Sequence, residues 1–133
     1  MNYKMKVTKD YIRGILSVCG CYTVGGSGSK TINPYLAFCM HKDNACVLYK
    51  LKYYFKLKDK IRIDKKYNRV KLNIYDIKTL IKISKISEEV LCGRRLKVFL
   101  NWRKILKRVK ENGNEFTKTE YNKMQKYLPS YIK

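Results

Sequence analysis

The chain has 133 residues, a length that suits a single domain with one hydrophobic core. Apolar residues make up 45% of it, which excludes a disordered basic tail, and no apolar run approaches the roughly 20 residues of a membrane span. The 31 Lys and Arg residues against 10 acids give a formal charge of +21. Such an excess on a folding chain indicates a polyanionic partner, with nucleic acid as the first candidate and an anionic membrane surface as the second.

The N-terminal elements are predicted to be a helix followed by a strand. Thr8 or Asp10 can cap a helix that runs to about Cys19, because the residues between them are mostly apolar at helical spacing. Gly20 then ends this helix, and residues 21–24 alternate in polarity as in a strand.

A glycine-rich turn at 25–30 leads to a second strand and a second helix. Pro34 precedes an apolar segment, 35–41, that predicts the strand. Asp43 can cap the helix that follows. Its apolar positions recur at helical spacing and are Val47, Leu48, Leu51 and Phe55.

The middle of the chain predicts a β-hairpin, with strands 60–64 and 69–74 around the tip 65–68. Apolar and polar side chains alternate along both strands, so each kind shares one face. The apolar face holds Ile61, Ile63, Val70, Leu72 and Ile74. The polar face holds Lys60, Arg62, Arg69, Lys71 and Asn73.

The C-terminal half is predicted to be helical. A third helix runs from Asp76 to about Ser84, and residues 91–95 form a basic turn. A fourth helix ends at 112–113, and residues 117–120 form a capping box for a short last helix carrying Tyr121, Met124 and Leu128. The apolar stripe of the fourth helix consists of Val98, Phe99, Trp102, Ile105, Leu106 and Val109.

Residues 11–24, YIRGILSVCGCYTV, carry an apolar helical run into a glycine and directly into a strand. This layout resembles the signature of the LAGLIDADG homing endonucleases, whose motif ends in an acid followed by glycine. The matching positions are Ile12, Gly14, Ile15, Leu16 and Gly20. The position of the acid holds Cys19, and the other aspartate of the motif falls on Ser17.

Two further segments resemble the same family in the same order. Residues 34–55 look like its second strand and helix, and residues 91–106 look like its loop and late helix, with Trp102 and Arg103 as the tryptophan–lysine-type pair. The resemblance spans about 8–110 and implies an α+β fold, αββαββα, with a four-stranded antiparallel sheet shaped as a saddle. We therefore expect one domain over 1–133, with a core at about 8–110 and a C-terminal helical extension at about 114–133.

The resemblance also implies where chemistry would occur. In the family, each motif helix presents one acid to shared divalent metals, and a hard cation prefers oxygen ligands. Cys19 supplies neither a hard oxygen nor a fixed negative charge, and Ser17 is too short and neutral to replace a carboxylate. We therefore expect no catalytic residue, no bound metal and no cofactor.

The five cysteines have no paired spacing that would indicate a zinc site. A site built from Cys19, Cys21 and His41 is conceivable, but buried, reduced thiols are the simpler interpretation and favour a reducing compartment. Lys, Ile, Tyr and Asn are abundant, as in proteins from AT-rich genomes such as mitochondrial ones. Residues 1–11 lack the extended Arg- and Ser-rich character of an import peptide, so we expect a mitochondrial matrix protein that the organelle itself could encode.

Arg13 and Val18 depart from the small residues that the family uses where its motif helices pack together. They disfavour the usual tight homodimer. Either the motif helix packs against a different macromolecule, or Arg13 lies at the rim of the saddle and reaches a phosphate.

The candidate nucleic-acid-binding residues are mostly cationic, and solvated surface lysines are the alternative interpretation. Within 60–73 only Asp64 is acidic, which favours phosphate contacts. The full set is Arg13, Lys30, Lys60, Arg62, Lys65, Lys66, Tyr67, Arg69, Lys71, Asn73, Arg94, Arg95, Arg103, Lys107 and Arg108. Lys118, Lys123, Lys126 and Lys133 suggest a further contact strip.

These observations predict a catalytically inactive LAGLIDADG-derived protein that binds structured RNA in preference to DNA. Cations on several faces suit a structural component of a mitochondrial ribonucleoprotein, with ribosomal RNA in the mitochondrial ribosome as the first target and other proteins of the particle as neighbours. A group I intron maturase and a diverged DNA-binding homing endonuclease remain as alternatives, and a sequence-specific DNA-binding repressor is a third.

Overall fold

The structure is a computed structural model that describes residues 6–26 and 30–128. The described part of the chain contains α1 (Lys9–Val18), β1 (Cys21–Gly25), β2 (Asn33–His41), α2 (Ala45–Phe55), β3 (Arg62–Asp64), β4 (Arg69–Ile74), α3 (Ile77–Val90), α4 (Gly93–Asn112) and α5 (Lys118–Met124). The predicted order αββαββα, with additional C-terminal helices, is confirmed.

The four strands form one antiparallel sheet in the order β1-β2-β4-β3. Strand β2 is central: Ala37 is paired with Cys21 on one side and with Asn73 on the other. The predicted hairpin is confirmed as the pairing of β3 with β4, in which Arg62 lies opposite Lys71. Because paired residues share a face, this register decides which side chains meet on each side of the sheet.

One face of the sheet packs against the helices and forms the core. The buried side chains that the strands contribute are Tyr22, Val24, Leu36, Phe38, Val70, Leu72 and Ile74. Helix α4 lies across β1, where the Tyr22 ring meets the Phe99 ring edge-on at 5.1 Å between centroids. The Trp102 indole donates a hydrogen bond of 2.9 Å to the Thr23 carbonyl, so the largest core side chain is also satisfied.

Helices α1 and α3 complete the helical layer. The Thr8 hydroxyl accepts from the Tyr11 backbone N–H at 3.1 Å, which selects Thr8 rather than Asp10 as the cap of α1. On α3, the buried Ser87 hydroxyl lies 2.7 Å from the Tyr22 hydroxyl. Burial raises the pKa of Tyr22, while this hydrogen bond and the nearby Arg95 oppose the increase.

The C-terminal extension is attached to α4 through Arg108. Its guanidinium binds the Glu120 carboxylate at 2.8 Å and the Gly113 carbonyl at 2.8 Å, and it lies 4.2 Å from the centroid of the Phe116 ring. The predicted capping box is present, with Thr117 and Glu120 bonded reciprocally. Helix α4 also ends as predicted, at Gly113, whose φ of 81° suits glycine.

Two predicted helix boundaries were wrong. Helix α3 continues to Val90, well beyond Ser84, and buries Ile86 and Ser87 in its last turns. The buried Ser84 hydroxyl is satisfied because it donates to the Leu80 carbonyl. Helix α4 begins at Gly93. Its first turn therefore contains the two arginines that were predicted to lie in a basic turn.

Two local predictions in the first half also need correction. Asp43 does not cap α2; it lies in a 3₁₀ turn, Lys42–Asn44, where the His41 imidazole accepts from the Asp43 backbone N–H at 3.1 Å. Strand β3 begins at Arg62, so Lys60 precedes the sheet rather than pairing within it.

Burial of the cysteines was predicted wrongly. Cys19 is partly exposed, and the other four thiols are exposed. Cys21 and Cys39 lie on the face of the sheet that is turned away from the helices, which follows from their strand register. Ile63 is 68% exposed for a different reason: β3 is a short edge strand, and the helical layer does not cover it.

Within the described residues, no helix is both long enough and apolar enough to cross a bilayer.

The attachment of the C-terminal extension should depend on pH through Glu120. Hydrogen bonds from Arg108 and then from Thr117 lower the pKa of this carboxyl from its ordinary value of 4.5. A lowered pKa means that the stabilisation is present above the ordinary value and is lost as the pH falls through the lowered one. We expect Glu120→Gln to lower the melting temperature at pH 7, and the difference from the wild type to shrink as the pH falls below the ordinary value of 4.5. The exposed Glu115→Gln serves as the control, and an equal pH-dependent difference there would contradict the assignment.

Candidate nucleic-acid interface

The sheet face opposite the core carries the predicted basic residues, and we call it the outer face. Its side chains follow from the strand register and are Cys21, Thr23, Tyr35, Ala37, Cys39, His41, Arg62, Asp64, Arg69, Lys71 and Asn73. Three of them are cationic, and Asp64 is the only acid. The structure thus brings together four of the predicted binding residues, Arg62, Arg69, Lys71 and Asn73.

The cations of the outer face are accessible. Arg62, Arg69 and Lys71 are exposed, and the single ion pair among them joins Lys71 to Asp64 across a long 3.9 Å. The Arg69 guanidinium donates a weak hydrogen bond to the soft Sγ atom of Cys39, at 3.8 Å. Exposed ion pairs of this kind contribute little stability, so these side chains can reorient towards a phosphate at small cost.

The hairpin tip extends this surface beyond the edge of the sheet. Lys65 and Lys66 are exposed, Tyr67 is 62% exposed, and the Lys66 ammonium lies 5.3 Å from the Tyr67 ring centroid. Asn68 takes a positive φ of 52° that closes the turn. Lys60 is exposed just before β3, on the same hairpin. Lys30 is exposed just before β2, at the end of the sheet opposite to the hairpin tip.

A pair of tyrosines on this side of the protein escaped the sequence analysis. The rings of Tyr35 and Tyr75 stack with 4.8 Å between centroids and 28° between planes. Burial, followed by the nearby Tyr75 and Cys21, raises the pKa of Tyr35. The two residues are 40 positions apart, and only the pairing of β2 with β4 shows that they meet.

The end of α1, where the family motif has its acid, is occupied by a cation from α4. The Arg95 guanidinium donates to three backbone carbonyls, those of Leu16 at 3.1 Å, Cys19 at 2.9 Å and Gly20 at 3.0 Å. The Nε atom is buried and has no hydrogen-bond partner among the described residues. The carbonyls at a helix C-terminus carry partial negative charge, and a guanidinium neutralises it.

This arrangement does not fit a divalent cation. Its oxygens already accept from Arg95, the Ser17 hydroxyl is bonded to the Gly14 carbonyl at 2.6 Å, and Cys19 provides a thiol. Within residues 6–26 and 30–128, no three His, Cys, Asp or Glu side chains come together to hold a metal ion. The positive guanidinium would also repel a second cation at this position.

The exposed side of α1 differs from what the sequence suggested. Arg13 folds back onto the Glu89 carboxylate of α3 and forms an ion pair. Gly14 has open space around it, and Val18 is 73% exposed. The helix therefore presents small and apolar groups outward, and the prediction that Arg13 and Val18 disfavour a homodimer stays a prediction.

The predicted basic cluster on α4 is divided by the structure. Arg94 is exposed and lines a cavity of about 300 Å³ beside Cys21, next to the outer face. Arg103 pairs with Glu88 at 3.2 Å. Arg95 and Arg108 are committed to internal hydrogen bonds, which favours a structural role for both. A contact of either one with nucleic acid stays a prediction.

No family profile matches the sequence, and no curated protein matches it. Solved structures do. The crystal structure of the homing endonuclease I-TnaI is 25% identical, with 92% of this chain and 86% of that one aligned at a TM-score of 0.76. The LAGLIDADG meganuclease I-AabMI bound to uncleaved DNA is 22% identical over 93% of this chain, with a TM-score of 0.78. I-GzeII in complex with its DNA target is 17% identical over the whole chain, with a TM-score of 0.77.

These comparisons define the class of protein by its architecture. The chain has the LAGLIDADG homing endonuclease fold, as the motif residues predicted. It spans 44% of I-AabMI and 47% of I-GzeII, so it corresponds to about half of each of these proteins.

The contact of Arg95 with α1 should be a main source of stability. We expect Arg95→Met to lower the free energy of unfolding by about 2–3 kcal/mol, because charge-assisted hydrogen bonds to three helix carbonyls are lost. The control is Arg94→Met, which removes the same charge from the exposed neighbouring residue. It should change the free energy of unfolding by less than about 0.5 kcal/mol. Urea denaturation measures both variants, and equal effects would contradict the structural role.

Proposed function

We propose that this chain is a catalytically inactive RNA-binding protein that forms a structural part of a mitochondrial ribonucleoprotein, with ribosomal RNA of the mitochondrial ribosome as its first target. The observation that carries the proposal is the outer face. Arg62, Arg69 and Lys71 stand there exposed, with a single carboxylate beside them.

Electrostatic attraction to the phosphate backbone supplies the binding energy. Each phosphate neutralised by Lys or Arg releases a condensed counterion, so a cationic sheet binds nucleic acid without reading its sequence. The exposed Tyr67 beside Lys65 and Lys66 gives the hairpin tip a ring that can stack on an unpaired base. The DNA-bound state of I-AabMI and I-GzeII supports nucleic acid as the class of partner.

The end of α1 supports binding without cleavage. Cleavage in this fold requires carboxylates that hold a divalent ion, and here Cys19 and the Arg95 guanidinium take their place. The protein would accordingly act by holding nucleic acid, and its own residues would carry out no chemical step.

The preference for RNA rests on the distribution of charge. A saddle that grips one duplex needs cations only on its sheet, whereas α4 adds exposed Lys104, Lys107 and Lys110 on the helical layer. Folded RNA surrounds a small protein on several sides and can use both surfaces. The mitochondrial assignment rests on the abundance of Lys, Ile, Tyr and Asn.

Removing two cations of the outer face should weaken binding in a salt-dependent way. For Arg62→Gln/Lys71→Gln we expect the slope of log affinity against log salt to fall by about 0.7–0.9 per lost phosphate contact. Lys56→Gln/Lys58→Gln, which removes two exposed lysines beside Asp59 and away from the sheet, is the charge-matched control. Fluorescence anisotropy at several salt concentrations measures the slopes, and an unchanged slope would remove the outer face from the interface.

Crosslinking in mitochondria, followed by sequencing of the bound nucleic acid, tests the target. Recovery of ribosomal RNA supports the proposal, recovery of one intron points to a maturase, and recovery of DNA contradicts the RNA preference.

A diverged homing endonuclease is the second candidate, because the similar solved structures include LAGLIDADG enzymes in complex with DNA. We expect no metal-dependent nicking of plasmid DNA by the wild type or by Cys19→Asp, since Arg95 still occupies the helix carbonyls in both. Nicking by the wild type that a chelator abolishes would establish the endonuclease instead.

A further inference from the structure

A groove of about 540 Å³ lies between α3 and α4, on the helical layer of the protein. Its lining combines an apolar floor with a basic rim. The lining residues are Ile81, Ser84, Lys85, Arg103, Lys104, Leu106, Lys107, Lys110 and Glu111. Five of these nine side chains are cationic and one is acidic, whereas three of the eleven side chains on the outer face are cationic.

The internal contacts of the described residues engage only part of this charge. Arg103 is paired with Glu88 at 3.2 Å, and the Lys104 ammonium lies 4.7 Å from the centroid of the Tyr127 ring. For Lys85, Lys107 and Lys110 there is no hydrogen bond, ion pair or ring contact among the residues that the structure describes. All three are exposed, and they reach the groove from two different helices.

Such a convergence of like charges opposes the packing of α3 on α4. Lys107 is four residues after Arg103 and three before Lys110, so these neighbours on α4 repel one another. Lys85 adds a further cation from α3, and Glu111 is the one acid in the lining, while Glu88 pairs with Arg103. A polyanion laid between the two helices would turn this repulsion into attraction.

The groove and the outer face lie on opposite sides of the core. Trp102, Ile105 and Leu106 turn one side of α4 towards the sheet, and helical spacing turns Lys104 and Lys107 away from it. The outer face of the sheet is, by its register, the face that the helices do not cover. One nucleic-acid segment that lies on the outer face therefore cannot also lie in the groove, because the protein core separates the two surfaces.

We propose that the α3–α4 groove is a second phosphate-binding site, which holds the backbone of a separate RNA segment while the outer face holds the first. One chain would then join two segments of a folded RNA. This inference rests on the proposed function. It adds a second binding site, so that one protein could hold two RNA segments together instead of binding a single one.

The test uses the full chain and two short RNA duplexes, one labelled with a donor fluorophore and one with an acceptor. Energy transfer reports that both duplexes are held by one protein, and anisotropy reports the binding of the first. The groove variant is Lys85→Gln/Lys107→Gln/Lys110→Gln, and the charge-matched control is Lys56→Gln/Lys58→Gln/Lys82→Gln, whose lysines lie outside the groove. All six positions are exposed, and thermal melts verify that both variants fold.

We expect the wild type and the control to bridge the duplexes. The groove variant should bridge at least about tenfold more weakly, because roughly three phosphate contacts are lost. Its affinity for a single duplex should stay close to that of the control, while Arg62→Gln/Lys71→Gln should lose the other contact and also fail to bridge. Failure of the wild type to bridge, normal bridging by the groove variant, or an equal loss in the control would each overturn the proposal.

Repeating the assay with DNA duplexes separates the two proposals: stronger bridging of DNA that still depends on the groove lysines contradicts the RNA preference and upholds the groove.

Discussion

The three hydrogen bonds from Arg95 to the carbonyls of Leu16, Cys19 and Gly20 hold together the elements that meet at the end of α1. They join the first helix to the fourth, at the point where the chain leaves α1 for the sheet through Gly20. They also fix the electrostatics of that point, because the partial negative charge of the helix end is met by a guanidinium from the same chain. A position that the fold otherwise reserves for carboxylates and metal ions is thereby a closed, internally satisfied contact.

Away from the end of α1, the charged side chains of the surface fall into two groups. Three of the ten carboxylates are paired with arginines: Glu89 with Arg13, Glu88 with Arg103 and Glu120 with Arg108. These arginines join helices to one another, whereas lysines such as Lys107 and Lys110 are exposed on the surface. The division is physically sensible, because a planar guanidinium can satisfy several acceptors at once, while an ammonium acts as a mobile point charge.

The sequence predicted those features that depend on local pattern. Alternation placed Arg62, Arg69 and Lys71 on one face, and the capping box at Thr117 and Glu120 is a signature read over four residues. The same alternation could have placed Cys21 outside, since it alternates with the buried Tyr22, but a preference for buried thiols was given more weight.

Features that depend on distant residues were out of reach. Arg95 contacts carbonyls 75 to 79 positions away, so it resembled any other arginine of a basic cluster. The stacking of Tyr35 on Tyr75 and the convergence of Lys85 with the lysines of α4 likewise follow from strand pairing and helix packing. The length of α3 was missed because serine is a poor helix former in isolation, and the packing of its last turns, which bury Ile86 and Ser87, compensates for this.

The position of α4 near the end of the chain has a consequence for how the protein reaches its native state. Arg95 and Trp102 make their hydrogen bonds to the first 23 residues, and Asn114 reaches back to Asn33 at 2.6 Å. While the chain emerges from a ribosome, α1 and β1 have no partner for these groups until α4 has been synthesised. Contacts between such distant parts of a sequence slow folding, since a long loop must close before they form. We therefore expect the end of α1 and strand β1 to gain part of their stability only after α4 has been synthesised and has packed on them.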